Sequence, residues 1–230
     1  MELALLNAAQ KADDTRENFK RELDADLEVF HCPSGDIPDN FCFDGFVVTG
    51  SWASVYWDEA WIGQLKTWVG EAVEAGLPAL GVCYGHQLLA DVMGGQVTDM
   101  GAYEIGYRAV EHDGQNRLLD GIDQEMTVFT SHSDHVVRPP PGATVFARNE
   151  YGIHGFRKDR VLAVQFHPEY DRATAREVTR DKEQLSERRI EAVIAGITPE
   201  NYQSACEVKQ LFDNFLEFVE DVQQRRVETG

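Results

Sequence analysis

The stretch Leu80-Gly81-Val82-Cys83-Tyr84-Gly85-His86-Gln87 predicts a short buried strand that runs directly into a helix, with a cysteine on the corner between them. We expect the strand over 79–82 and the helix over 85–93. Gly81 and Gly85 flank the corner, and because glycine has no Cβ the backbone can turn sharply there. Cys83 is then presented at a helix N-terminus, where the helix dipole favours the thiolate. The plainer interpretation, a small core cysteine, stays open on this stretch alone.

A second stretch, Phe166-His167-Pro168-Glu169, closes an apolar run over 161–166. Proline holds the residue before it extended, and two steps along an extended chain return Glu169 to the side of His167. A carboxylate beside an imidazole fixes its tautomer and stabilises its charged form, which a base that deprotonates a thiol requires. Cys83, His167 and Glu169 therefore form a candidate catalytic triad. The alternative is that His167 and Glu169 only cap a strand end in solvent.

Together these two stretches resemble the class I glutamine amidotransferases, and within that family the branch of the GMP synthase glutaminase domains. The resemblance implies a flavodoxin-like fold and the hydrolysis of L-glutamine to glutamate and ammonia through a cysteinyl thioester. It implies Cys83 as nucleophile, His167 as general acid and base, and Glu169 as the residue that orients His167. We expect neither a cofactor nor a metal ion.

The loop Thr49-Gly50-Ser51-Trp52-Ala53-Ser54 resembles, by its position, the family's glycine-rich oxyanion loop. The resemblance implies that the backbone amide of Gly50 or Ser51, together with that of Tyr84, holds the tetrahedral oxygen. Backbone donors suit this task because they are rigid and aimed before charge develops. Ser51 and Trp52 depart from the family's usual glycine and proline, so which amide donates stays open. An ordinary strand-to-helix turn is the alternative.

A third segment, Ser131-His132-Ser133-Asp134-His135, resembles the family's serine-histidine loop, whose backbone binds the α-amino and α-carboxyl groups of glutamine. Ser131, His132 and Ser133 are accordingly expected to bind substrate. By the same resemblance Gln87, one helical turn after the nucleophile, faces the same end of the substrate.

The histidines and the aspartate of this segment offer an alternative set of metal ligands, namely His132, Asp134 and His135. Their spacing is crowded and the sequence suggests no distant partner, so we favour the substrate-binding interpretation.

Composition narrows the class of protein. The net charge is −19, with 40 acidic against 21 basic residues, and such a surface repels phosphate backbones, which makes nucleic acid an improbable partner. The acidity is typical of a soluble surface and also of proteins from a salt-rich cytoplasm. There is no apolar run long enough for a membrane span and no secretory layout at 1–10, so we expect a cytoplasmic protein. The four cysteines lack the C-x-x-C spacing of zinc sites.

Strands alternate with helices along most of the chain, which predicts an α/β fold with a doubly wound, mostly parallel sheet flanked by helices and a small strand-rich section. Asp14 with Glu17 is typical of a capping pair opening a helix that runs to about residue 23. The predicted strands are 3–6, 27–30, 45–48, 79–82, 126–129, 144–147 and 161–166. The other predicted helices are 57–75, 85–93, 174–195, one that starts at Thr198-Pro199, and one through 208–219.

We interpret the chain as one amidotransferase-like domain over 1–230 with a probable helical insertion at 170–205. The insertion begins directly after Glu169. It forms either part of the rim of the active site, as a lid or a docking surface, or a solvated extra helix on the outside of the sheet.

Three functions stay open. The preferred one is a glutaminase that passes ammonia to a synthetase or ligase partner, for which the resemblance suggests one that makes GMP. No P-loop is present and no G-x-G-x-x-G follows a strand, so we expect the acceptor site of an ATP-driven amination to lie on another polypeptide. The alternatives are a stand-alone γ-glutamyl hydrolase and a non-catalytic regulatory module on the same fold. The oligomeric state is not predicted.

Overall fold

The computed structural model describes residues 1–229, apart from the side chains at 12, 227 and 229, and this part of the chain contains nine strands and seven α-helices. The strands are β1 (Glu2–Asn7), β2 (Asp26–His31), β3 (Gly45–Val48), β4 (Ala79–Val82), β5 (Gln96–His112), β6 (Glu125–Arg138), β7 (Thr144–Asn149), β8 (Gly152–Lys158) and β9 (Val161–Val164). The helices are α1 (Ala12–Glu22), α2 (Ala60–Glu74), α3 (Tyr84–Val92), α4 (Arg172–Arg180), α5 (Glu187–Ala195), α6 (Pro199–Cys206) and α7 (Gln210–Thr229).

All nine strands form one sheet, in the order β2-β1-β3-β4-β9-β8-β7-β5-β6. The first five of these pair in parallel, in the arrangement of a flavodoxin-like sheet, and the remaining four continue it with antiparallel pairs. The α/β fold class predicted from the sequence is confirmed. Its strand-rich section extends the sheet rather than forming a separate layer.

The parallel half of the sheet is covered on both faces. Successive residues of β1 enter opposite cores, because side chains alternate along a strand: Ala4 packs towards α2 and α3, whereas Leu5 packs towards α1 and α7. This double burial explains why β3 and β4 are apolar throughout.

The sheet register brings three loops together. In β3 and β4 Val48 pairs with Gly81, and in β4 and β9 Val82 pairs with Val164, so these parallel strands end at the same edge. The loops that follow them carry Gly50, Cys83 and His167. Ligands of such sheets bind beyond the carboxyl ends of the strands, and the fold therefore places these residues where a site is expected.

Two strands were missed by the sequence prediction. β5 spans 17 residues and pairs with β6, but its register shifts between Asp99 and Glu104, and Gly101 and Gly106 adopt positive φ. These irregularities break the alternation of apolar and polar residues that marks a strand. β8 was missed because four of its seven residues are buried consecutively, so it shows no alternation either.

Several helix boundaries also differ from the prediction. α1 begins at Ala12 after Lys11, so Asp14 lies within the first turn and does not cap the helix. α2 begins three residues later than expected, because residues 54–57 form a turn closed by the amide of Trp57 on the carbonyl of Ser54. The expected start of a helix at Thr198-Pro199 is confirmed: the Thr198 side chain accepts the amide of Asn201 and caps α6.

The helix expected over 174–195 is wrong as one element, since α4 ends at Arg180 and α5 begins after the capping residue Ser186. Both helices pack on the antiparallel half of the sheet, where Ala175 and Val193 contact Ile105 and Phe129. The turn between α4 and α5 is thereby held close to the sheet edge that carries the three loops. Within residues 1–229 no helix combines the length and apolar character needed to cross a bilayer.

Candidate active site

Cys83 occupies the strained corner between β4 and α3. Its φ is 53° and its ψ is −101°, and positive φ is uncommon for a residue other than glycine. A Cβ on Gly81 would lie 2.6 Å from the carbonyl of Gly85, and one on Gly85 would lie 2.2 Å from the carbonyl oxygen of Val48. Glycine is therefore required on both sides of the cysteine, as the sequence prediction assumed.

Cys83 is less accessible than expected. Only 4% of its surface is exposed, whereas the tight turn was expected to present it openly. It lines a cavity of about 110 Å³, the inner cavity, and the turn after α4 contributes Asp181 and Lys182 to the same walls. The segment 170–205 thus contributes to the rim of this cavity, which is one of the two arrangements expected from the sequence, whereas the low exposure of Cys83 was not expected.

His167 lies beside both of its expected partners. Its Nδ1 is 2.7 Å from Glu169 Oε1, and its ring adjoins Cys83, since a Cβ built on Gly50 would contact both side chains. The ring stacks on Tyr170 with centroids 4.1 Å apart, and the His167 amide donates to the carbonyl of Phe129 at 2.8 Å. Backbone and ring contacts therefore fix the imidazole, and the chain brings the three predicted triad residues together.

The electrostatics of the three side chains favour a charged imidazole. Burial opposes the charge, but the carboxylate of Glu169 and the sulfur of Cys83 outweigh it and raise the pKa of His167. Glu169 is itself 1% exposed, and its backbone carbonyl accepts Arg21 Nη2 at 2.6 Å, which ties the end of the triad loop to α1. The arrangement therefore suits an imidazolium that lies between the carboxylate and the cysteine.

The predicted oxyanion residues surround the same point. A Cβ built on Gly50 would lie 2.8 Å from His167 Cε1 and 3.7 Å from Cys83 Cβ, so this loop passes directly over the reactive side chains. Tyr84 is the first residue of α3, and an amide at that position has no intrahelical acceptor. Ser51 lines the inner cavity, and its Oγ accepts the amide of Ala53 at 3.2 Å.

The predicted substrate residues also line the inner cavity, namely Gln87, Ser131, His132 and Ser133. Gln87 is committed to the protein through its amide nitrogen, which donates to the carbonyl of Asp134 at 2.9 Å and to Gln165 Oε1 at 3.1 Å. Its Oε1 stays available to a ligand. The Ser131 carbonyl lies 4.0 Å from Cys83 Sγ, so the loop borders the nucleophile.

The segment 131–135, expected to be a loop, lies within β6 and pairs with β5, and a buried carboxylate of β5 supports it from behind. Glu104 is fully buried, and its Oε2 lies 2.7 Å from His132 Nε2 and 3.2 Å from His154 Nε2. Burial disfavours the anion, but the hydrogen bonds from the two histidines outweigh it and lower the pKa of Glu104 to about 2. His132 Nδ1 donates to the carbonyl of Asp134 at 2.9 Å, so both of its ring nitrogens face acceptors.

The alternative metal ligands, His132, Asp134 and His135, do not point their ligand atoms at a common position. His132 binds Glu104 and the carbonyl of Asp134, the Asp134 carboxylate accepts Tyr56 Oη at 2.9 Å, and His135 Nδ1 faces the carbonyl of Tyr151. The residues whose ligand atoms do approach one another, within 4.8 Å, are Glu104, His132 and His154. Their spacing is that of the Glu104–His132 and Glu104–His154 contacts described above.

Comparison with known proteins identifies the family. The model of the family described as glutamine amidotransferase class-I matches residues 17–183, which is more than half of the chain. The chain belongs to the class I glutamine amidotransferases. The sequence resemblance on the cysteine and histidine motifs is thereby confirmed.

Curated relatives of this amidotransferase carry the name GMP synthase [glutamine-hydrolyzing]. The protein from Thermomicrobium roseum is 38% identical over 126 residues, which are 54% of this chain and 23% of that protein. The protein from Pyrobaculum aerophilum is 46% identical over 93 residues, which are 40% of this chain and 18% of that protein. The matched region thus spans about a quarter or less of these relatives' length.

Solved structures share the fold of this amidotransferase. A glutamine amidotransferase from Thermotoga maritima superposes with a TM-score of 0.79 at 22% identity, covering 95% of this chain and 98% of the other. A glutamine amidotransferase from Methylobacillus flagellatus gives a TM-score of 0.79 at 20% identity, covering 94% of each chain. At these identities the likeness establishes the fold.

Sequence reasoning missed three residues that shape the site of this amidotransferase. Glu104 lies in the segment Tyr103-Glu104-Ile105-Gly106, to which the sequence analysis assigned no role. Tyr103 and Lys182 line the inner cavity with Cys83. A lone lysine in a charged segment gives no signal by itself, because such residues usually face solvent.

Proposed function

We propose that this chain is a glutaminase, which hydrolyses L-glutamine to glutamate and ammonia for use by a synthetase partner. The observation that carries the proposal is the strained Cys83 corner placed beside the His167–Glu169 pair, with Cys83 lining a cavity that Ser131, His132 and Ser133 also line. Membership of the class I amidotransferase family supports it.

Each triad residue has a role in the proposed reaction. The thiolate of Cys83 attacks the side-chain amide carbon of glutamine, and His167 gives its proton to the departing nitrogen, which leaves as ammonia. The neutral His167 then takes a proton from water, the hydroxide attacks the thioester, and glutamate leaves as the thiolate reforms. Glu169 orients the ring through its 2.7 Å contact with Nδ1 and stabilises its charge.

Two backbone amides are proposed to stabilise the tetrahedral oxygen. Tyr84 supplies one, since its amide opens α3 and adds the positive end of the helix dipole. The Gly50 loop supplies the other, through the amide of Gly50 or of Ser51. Gln87, Ser131, His132 and Ser133 are proposed to bind the amino acid end of the substrate.

The proposed partner is a synthetase that consumes ammonia in an amination. This rests on the names of the curated relatives, which are GMP synthases that hydrolyse glutamine and are several times longer than the matched region. GMP synthesis is the reaction class that these names favour for the acceptor.

The test is ammonia release from L-glutamine by the purified chain, with and without a candidate synthetase. We expect release that is abolished in Cys83→Ala and stimulated by the partner. Absence of turnover of any γ-glutamyl compound, with glutamine still bound, would contradict the proposal and favour a regulatory module.

One observation favours a second candidate, a stand-alone γ-glutamyl hydrolase. A second cavity of about 70 Å³, the outer cavity, adjoins His167 and Glu169 and is also lined by α1 and α4. It offers room for a leaving group larger than ammonia next to the proposed proton donor. Faster hydrolysis of γ-glutamyl amides with bulky amines than of glutamine, without a partner, would select this function.

A further inference from the structure

Lys182 is a buried lysine at the boundary between the two cavities. It lies in the turn between α4 and α5, is 6% exposed, and lines both the inner and the outer cavity. Its Nζ lies 5.5 Å from the centre of the Trp52 ring and 5.3 Å from that of Tyr103. Two aromatic faces therefore surround an ammonium group beside the nucleophile.

This ammonium makes no direct ion pair among residues 1–229, although the sulfur of Cys83 and the carboxylate of Asp181 lie near enough to favour its charge. The neighbouring carboxylate, Asp181, is bound to Lys11 Nζ at 2.6 Å, and no ion pair or side-chain hydrogen bond joins Lys182 Nζ to another described residue. Burying an unpaired charge is costly, and cation–π contacts offset only part of that cost. Burial accordingly lowers the pKa of Lys182 to about 8. The site is therefore suited to an anion that enters from outside.

The inner cavity indicates which anion fits. Besides Lys182, its wall carries the carboxylate of Asp134, which is 6% exposed and accepts one hydrogen bond, from Tyr56. A buried cation and a buried anion in one small cavity complement a ligand that carries both charges. An α-amino acid is such a ligand, and Cys83 lines the same cavity to meet its side chain.

We propose that Lys182 binds the α-carboxylate of the γ-glutamyl substrate and is a specificity-determining residue of this enzyme. The inference rests on the proposed function and deepens it, because it assigns to the segment 170–205 a direct contact with substrate. The ammonium forms a charge-assisted hydrogen bond to the carboxylate, and Trp52 and Tyr103 restrict its position.

The surroundings hold Lys182 in place before substrate arrives. Asp171 caps α4 by accepting the amide of Thr174 at 2.8 Å, and Thr174 Oγ1 accepts Asn18 Nδ2 at 3.2 Å, which ties α4 to α1. After the lysine, the amide of Leu185 donates to the Lys182 carbonyl at 3.0 Å and closes the turn. A pre-ordered lysine loses little conformational entropy on binding.

The experiment compares L-glutamine with L-glutaminamide, in which a neutral amide replaces the α-carboxylate. Dissociation constants are measured by titration calorimetry in a Cys83→Ala background, so that no turnover intervenes. Lys182→Met and Lys182→Gln remove the charge, and Lys182→Arg keeps it. Lys66→Met is the matched control, since Lys66 pairs with Asp91 and lines neither cavity.

In the Cys83→Ala parent we expect glutamine to bind about 10- to 100-fold more tightly than glutaminamide, the ratio of a charge-assisted contact. Lys182→Met and Lys182→Gln are expected to remove this preference by weakening glutamine alone, whereas Lys182→Arg keeps part of it and Lys66→Met keeps all of it. Unchanged unfolding midpoints show that the variants are folded.

Three results would overturn the inference while leaving the proposed function intact. The first is a Cys83→Ala parent that binds glutamine no more tightly than glutaminamide, and the second is a preference for glutamine that survives in Lys182→Met. The third is an equal loss of affinity for both ligands in Lys182→Met, which would show that Lys182 affects only the shape of the cavity. A parent that binds neither ligand would instead contradict the proposed function, and the inference with it.

Discussion

Glu104 Oε2 lies 2.7 Å from His132 Nε2, directly behind the loop that walls the inner cavity. Both side chains are buried, so their contact is shielded from water and from salt. The pair connects β5 to the proposed substrate-binding residues on β6. A change at Glu104 should therefore affect both the stability of the antiparallel half of the sheet and the shape of the site.

Replacing Glu104 by glutamine is expected to lower the free energy of unfolding by about 2–4 kcal/mol, because the two histidines lose a shared buried anion. Urea unfolding measures the change. The affinity for glutamine is expected to fall as well, since His132 loses its support. Glu111→Gln is the control, an exposed glutamate on the same strand, and equal stability of the two variants would contradict a supporting role for Glu104.

His86 predicts a loss of stability in acid. The ring is fully buried, with Nδ1 3.2 Å from Gln165 Oε1, and desolvation, aided by the nearby His154, lowers the pKa of His86 to about 3 from an ordinary value of 6.5. Between these two values the unfolded chain binds a proton that the folded chain does not. The free energy of unfolding is therefore expected to fall as the pH drops from about 6.5 towards 3, by up to about 1.4 kcal/mol per pH unit.

Urea unfolding of the native chain and of His86→Asn at several pH values between 7 and 4 measures this slope. For the variant, the free energy of unfolding is expected to change less steeply with pH, by close to the 1.4 kcal/mol per pH unit that one proton contributes. This holds whatever the stability of the variant at neutral pH. Parallel stability curves for the two proteins would contradict the assignment.

A methyl group on Gly50 is expected to impair turnover without unfolding the chain. Its Cβ would meet His167 Cε1 at 2.8 Å and force the ring away from Cys83, and a displacement of this kind costs about 100-fold in rate. The measurement is kcat for glutamine hydrolysis in Gly50→Ala. Gly63→Ala is the control: its Cβ meets nothing within 4 Å, and within α2 it is expected to add about 0.5–1 kcal/mol of stability and leave kcat unchanged. A fully active Gly50→Ala would show that the ring tolerates displacement.

Glu169→Gln is expected to lower kcat by about 100- to 10,000-fold, because an amide neither stabilises the charged ring nor fixes its tautomer. The carboxylate is among the groups that raise the pKa of His167, so its loss moves the alkaline limb of the pH–rate profile to lower pH. Glu177→Gln, which alters an exposed glutamate of the outer cavity, serves as the reference. A profile that keeps its alkaline limb in Glu169→Gln would argue against this electrostatic role.

The sequence was sufficient to predict the parallel half of the sheet, because β3, β4 and β9 are short apolar runs with clear flanking signals. The contact of His167 with Glu169 was also predictable, since the proline between them fixes the local backbone. β5 could not be predicted in the same way, because glycines and register shifts interrupt the alternation of apolar and polar residues along it.

The individual contacts that Lys182 and Glu104 make with distant segments could not be predicted, although the segment 170–205 was one candidate for the rim of the site. Cys83 shares the inner cavity with the turn after α4, about 100 residues further along the chain, and His132 contacts Glu104 across a strand pair. Neither contact leaves a mark on the residues adjacent in sequence, so only the folded chain reveals Lys182 and Glu104 as parts of the site.

The most direct test of the account is covalent labelling with a chloroketone analogue of glutamine, followed by peptide mapping of all four cysteines. The account predicts that Cys83 alone is alkylated rapidly, that L-glutamine protects it, and that His167→Ala slows the reaction. Cys42 is the exposed reference, and burial raises the pKa of the Cys32 thiol to about 12, which makes that residue inert. Labelling of Cys42 as fast as Cys83, or labelling of Cys83 without protection by glutamine, would contradict it.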